Sequence, residues 1–145
     1  MFEKGNHRNY CQIQLKNEHY IHMGNIYSSF PMIHFEDIYK ENSVLINTLQ
    51  EHEQGCLIHN TIPANQEIHI MNTYLKTNKK VRIIIYGKNY GDKSIIKKFN
   101  QLKKLGFSNV FIYFGGMFEW IMLQEIYGND NFKTDGTTLD ILQFK

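Results

Sequence analysis

Eight consecutive residues, Gly87-Lys88-Asn89-Tyr90-Gly91-Asp92-Lys93-Ser94, set two glycines and two lysines directly after an apolar run. If that run is a strand and a helix follows, successive N–H groups of the loop form a positive concavity suited to an anion, with Lys88 and Lys93 flanking it. The plainer account is a strand-to-helix turn with Asp92 or Ser94 as the helix cap. The chain has two cysteines, Cys11 and Cys56. Neither belongs to a CxxC pair, and two are too few for a disulfide framework, so a reducing compartment is expected. A single cysteine opening an apolar run, as Cys56 does, is ordinarily a small buried apolar group. Among the histidines, His19 and His22 lie in an alternating stretch where a spacing of three puts them on opposite faces. His52, His59 and His69 are scattered. No ligand spacing with an acidic or thiol partner emerges, so neither metal nor cofactor is expected.

Two further groups have a bland and a sharp reading. Lys93, Lys97, Lys98, Lys103 and Lys104, with Lys79 and Lys80, could face nucleic acid. A solvated helix face is the simpler account, since no stacking motif accompanies them. Tyr113, Phe114, Phe118 and Trp120 surround Gly115-Gly116 and could anchor a partner. Core filling where the last strand meets its helix is the simpler account.

These residues need elements to hold them. Val44–Asn47 and Cys56–Asn60 read as buried strands. Pro63 opens a helix through about Leu75, with Ile68, Met71 and Leu75 on one face. Val81–Tyr86 is the clearest strand, β-branched as burial on both faces demands. A helix follows over about Ile95–Leu105, with Ile95, Phe99, Leu102 and Leu105 as its inner stripe, and Gly106 ends it. Val110–Phe114 is a strand and Phe118–Tyr127 a helix. Thr134-Asp135-Gly136 reads as a turn. Upstream, Tyr10–Leu15 and Tyr20–Met23 alternate like short strands, and Ile33–Tyr39 could be a short strand and a helical turn. Strands alternating with helices predict an α/β fold: a mainly parallel central sheet with helices on both faces. In such sheets ligands gather at the carboxyl ends of the strands, where the Gly87–Ser94 loop lies.

The 145 residues suit one compact domain, and a net charge of +2 is too small to imply a nucleic-acid partner. The N-terminus does not read as a secretory leader, and no apolar stretch is long enough to span a bilayer. An intracellular, cytoplasmic location is therefore expected. The bias toward Asn, Lys, Ile and Tyr suits an AT-rich genome, such as that of a large DNA virus or a protist; in the viral case a virion location is also open.

From about Phe30 to Tyr127 the order of motifs resembles the rhodanese-like domain family. Leu45-Ile46-Asn47-Thr48, then Glu51-His52-Glu53, then Gly55-Cys56-Leu57-Ile58 look like that family's first strand, charged segment and second strand. Leu102-Lys103-Lys104-Leu105-Gly106-Phe107-Ser108-Asn109-Val110 and Gly115-Gly116-Met117-Phe118-Glu119-Trp120 match its later signature. The resemblance implies a three-layer rhodanese-like fold over residues 30–145, with residues 1–29 as an N-terminal extension. It also implies a nucleophilic cysteine at the first loop position after the central strand. That position is Gly87. Sulfur transfer needs a thiolate there, held by loop amides. The phosphatases sharing the fold need the same cysteine and an arginine about six positions later, where Asp92 and Lys93 stand. The expectation is therefore a non-catalytic binding or structural module, with an unidentified protein partner and a symmetric homodimer as the default assembly. Two alternatives stay open: a sulfurtransferase using a displaced cysteine, Cys56 or Cys11, and a nucleic-acid binder using the lysine-rich helix.

Overall fold

A computed structural model describes residues 29–145. The chain divides into two units, Met1–Pro31 and Met32–Lys145, and the second carries the architecture below. The strand expectations at residues 10–15 and 20–23, Cys11, His19 and His22 lie outside the described residues.

Among the described residues five strands and three helices alternate: β1 Val44–Asn47, β2 Cys56–Ile58, α1 Ala64–Thr77, β3 Ile83–Tyr86, α2 Ser94–Leu105, β4 Val110–Tyr113, α3 Gly116–Tyr127 and β5 Thr134–Gly136. Three single turns of 3-10 helix, Phe35–Asp37, Glu51–Glu53 and Ile141–Phe144, complete the set. The main sheet is parallel in the order β1-β3-β4, with Ile46 opposite Ile85 and Ile85 opposite Ile112. Met32 extends it by a parallel bridge to Ile112. The run Ile83-Ile84-Ile85-Tyr86 is wholly buried, as a central strand covered on both faces requires.

Alternation along that strand sends side chains to two cores. Ile84 and Tyr86 join Leu45, Ile58, Tyr113, Met117 and Trp120 in one cluster. Helix α2 packs on β3 and β4 through Ile95, Phe99 and Leu102. Leu105, expected in that stripe, is 45% exposed because it lies in the last turn, where the chain leaves the sheet at Gly106 (φ 101°). In α1 the expected face is rotated: Met71 is buried, but Ile68 is 76% exposed. Glu67 turns inward instead, where its carboxylate meets Lys98 of α2 at 2.6 Å.

Thr134–Gly136, expected as a turn, forms an antiparallel strand against β2, with Cys56 opposite Gly136. Gly136 has φ 84°, and a Cβ there would collide with the carbonyl oxygen of Gly55. A residue type that usually marks turns here permits close approach of two strands. Tyr86 ties this second sheet to the first: its buried hydroxyl accepts from the Ile58 amide at 3.1 Å and lies 2.8 Å from Thr61 Oγ1. No helix among the described residues is long and apolar enough to cross a membrane.

Candidate functional site

The Gly87–Ser94 loop leaves the carboxyl end of the central strand and enters α2. Gly87 is buried, and a Cβ on it would collide with Asp92 Oδ2 and lie 2.9 Å from Thr48 Oγ1. The space a side chain at position 87 would need is thus filled by the Asp92 carboxylate. Asp92 Oδ2 accepts from the Lys88 amide at 3.0 Å, and Oδ1 accepts from the Ser94 amide at 3.0 Å. Ser94 Oγ lies 2.6 Å from the same Oδ1 and 2.7 Å from Thr48 Oγ1 at the end of β1. Two of the loop amides that could hold an anion, those of Lys88 and Ser94, thus hold an internal carboxylate.

The outer side of the loop is equally committed. The carbonyls of Gly87 and Lys88 accept from the amides of Met117 (3.0 Å) and Phe118 (2.9 Å) in the first turn of α3. Gly116 makes that approach possible. Its φ is 63°, and a Cβ there would stand 2.5 Å from the Gly87 oxygen. Asn89 caps the loop, accepting from the Gly91 amide (2.8 Å) and donating to the Phe144 carbonyl (2.8 Å).

Lys88, expected to flank an anion, instead places its ammonium 2.5 Å from Glu53, whose side chain is 2% exposed. Glu53 Oε2 also accepts from the Gln50 amide at 2.8 Å. A buried carboxylate requires this kind of partner. Lys93 is exposed at the start of α2, and Tyr90 is exposed with its ring 5.6 Å from that of Phe114. The N-cap position of α2 is Lys93; Asp92 serves as the side-chain cap through its bond to the Ser94 amide.

The other sequence candidates sit apart from this loop. Cys56 is buried in β2, donating weakly to the Gly136 carbonyl at 3.8 Å, and burial raises its thiol pKa. Both effects oppose nucleophilic use. His59 pairs with Asp135 at 2.6 Å, and His52 lies 3.8 Å from Glu53. Among the described residues no three His, Cys, Asp or Glu side chains are grouped as a metal site would need. In the lysine-rich helix, Lys98 is engaged by Glu67 and Lys103 donates to the Ser108 carbonyl at 3.2 Å. Trp120 is core: it is 1% exposed, edge-on to Phe132 at 5.0 Å, and its Nε1 donates to the Lys133 carbonyl.

Sequence reasoning missed Thr48 and Glu53 as parts of the loop's surroundings, and Glu119 beside it; Tyr113 was singled out only as one of the rings around Gly115-Gly116. Glu53 and Lys88 are 35 positions apart, so no local spacing could signal the pair. Glu119, an acid in the first turn after a double glycine, was the one readable hint.

The family model for the rhodanese-like domain matches residues 35–123, and the chain belongs to that family. Among solved structures, the BH2092 protein of Bacillus halodurans is similar with a TM-score of 0.55 at 19% identity, over 84% of this chain and 87% of that one. The Alr3790 protein of Anabaena sp. is similar with a TM-score of 0.48 at 20% identity, over 72% of this chain and 88% of that one. A Rhodanese_3-like domain of the same Alr3790 protein gives 0.42 at 18%, over 59% and 93%. No curated relative matches the sequence.

Proposed function

We propose that this rhodanese-like domain performs no sulfur transfer and acts as a binding module, using the face at the carboxyl ends of its parallel strands. One observation supports this above the rest: the Asp92 carboxylate fills the space beside Gly87 and accepts from the Lys88 and Ser94 amides. A transferable sulfur needs a nucleophile in that space, and an anionic substrate needs those amides. Gly87 supplies no nucleophile, and Asp92 repels anions. The buried, pKa-raised Cys56 is a poor substitute.

The test is transfer of sulfur from thiosulfate to cyanide by the full chain, with mass spectrometry of the protein after thiosulfate exposure. No thiocyanate above the uncatalysed background, and no added sulfur, is the expected result. Thiocyanate production together with a persulfide at Cys56 or Cys11 that disappears on Cys56→Ser or Cys11→Ser would overturn the reading. A companion variant probes the role of Asp92. Gly87→Cys alone should take up no sulfur, because the carboxylate obstructs the introduced thiol. Gly87→Cys combined with Asp92→Gly should take it up.

A further inference from the structure

Beside the Gly87–Ser94 loop, and separate from its amides, a cleft of about 600 Å³ opens between the end of β4, the start of α3 and Tyr90. Its walls include the rings of Tyr90, Tyr113, Phe114 and Phe118, with the Glu119 side chain among them. Such a cleft, largely apolar with a few convergent polar groups, is the usual form of a small-ligand site.

Two of its polar groups, Tyr113 and Glu119, have no closer polar partner among the described residues than each other. Tyr113 is 1% exposed, and its hydroxyl is the one buried side-chain polar atom without a hydrogen-bond partner among the described residues. Its register neighbour Tyr86 shows the contrast: that hydroxyl has two partners. Orphan buried hydroxyls are uncommon because each costs desolvation energy without return. Glu119 is partly buried and makes no ion pair among the described residues. Its side chain folds back over Gly115, where a Cβ would collide with it, so the missing side chain of Gly115 makes room for the carboxylate. The Glu119 carboxylate faces the Tyr113 hydroxyl: burial first, and then hydrogen-bonding and charge interaction with Glu119, raise the pKa of the phenol. Lys145 stands on the rim, exposed and unpaired with Glu119.

We propose that this cleft binds an organic cation, an ammonium group carried on an apolar or aromatic body, with Glu119 as counter-ion, Tyr113 Oη as hydrogen-bond acceptor and the surrounding rings as its apolar walls. An ammonium donates to the carboxylate and to the phenol oxygen at once, which completes both groups. Aromatic faces add attraction that a neutral or anionic ligand does not receive. An anion in the same place would meet the Glu119 charge. This deepens the reading of the domain as a binding module and rests on it only in that sense. Sulfur transfer is measured at other atoms, so thiocyanate production would refute the earlier proposal and leave this one standing.

The experiment titrates the full chain with benzylammonium, benzyl alcohol and benzoate in parallel, followed by amide-resolved NMR. Saturable shifts centred on Phe114, Gly115, Phe118 and Glu119 are expected with benzylammonium, much weaker ones with the alcohol, and none with benzoate. Glu119→Gln should weaken benzylammonium binding about tenfold, the equivalent of one lost charge-assisted contact. Tyr113→Phe keeps the ring and removes only the hydroxyl, so it should fold normally and weaken binding about threefold. Equal affinity for the amine and its neutral or anionic analogues, shifts mapping elsewhere, the absence of saturation, or unchanged affinity in both variants would each overturn the proposal.

Discussion

Lys88 and Glu53 show how much of the loop is set by single side chains. The carboxylate is almost fully buried, whereas the ammonium keeps about a third of its surface in water. Removing the exposed partner therefore costs more than its own exposure suggests, because it strands a buried charge. Lys88→Met should destabilise the domain by about 3 kcal/mol, measured by urea unfolding. Adding Glu53→Gln should recover most of that loss, since the stranded charge is gone. A double-mutant cycle without coupling would show that the pair does not hold the loop. At this scale the sequence was only partly legible. Gly87 and Asp92 could be singled out because they fall where a family motif requires other residues. The role of Asp92 as an internal ligand could not, because it depends on Thr48, Lys88 and Ser94 meeting around one carboxylate.

Among the elements, α3 is the one whose start is dictated by close approach. Gly116 combines a left-handed backbone with a 2.5 Å limit against the Gly87 carbonyl. Gly116→Ala should cost at least about 1–2 kcal/mol from the backbone alone, and more from the collision. Thermal unfolding with amide shifts at Met117 and Phe118 would register it; an unchanged melting temperature would refute the argument. Here the double glycine was visible in the sequence, and its purpose was not. Strands β1, β3 and β4 and helix α2 were legible from β-branched runs and from a Gly-terminated stripe. Strand β5 was hidden because Thr-Asp-Gly carries turn chemistry, and only its pairing with Cys56–Ile58 makes it a strand. The face of α1 was misread at Ile68 because Glu67, paired with Lys98, took an inward position that hydrophobicity alone would deny it.

For the whole molecule, buried phenols and a buried thiol set the alkaline limit. Burial raises the pKa of Cys56, Tyr86 and Tyr113, and burial followed by Asp135 pushes Tyr39 up to about 12. Each group ionises more readily in the unfolded chain. The stability they contribute is thus complete below the unfolded values of 9.0 for the thiol and 10.0 for the phenols, and is lost as pH rises through the folded ones. The melting temperature should hold level from neutrality to about pH 9 and fall beyond it, with tyrosinate absorbance lagging behind that of free tyrosine. A flat profile to pH 11 would contradict this assignment. The Tyr86 hydroxyl has a wider consequence. It reaches from the central strand of the parallel sheet to the Ile58 amide and Thr61, and so couples the antiparallel pair to that strand. Calorimetry should accordingly show residues 32–145 melting as one all-or-none unit, with calorimetric and van't Hoff enthalpies in agreement, and Tyr86→Phe should be the substitution that splits the transition.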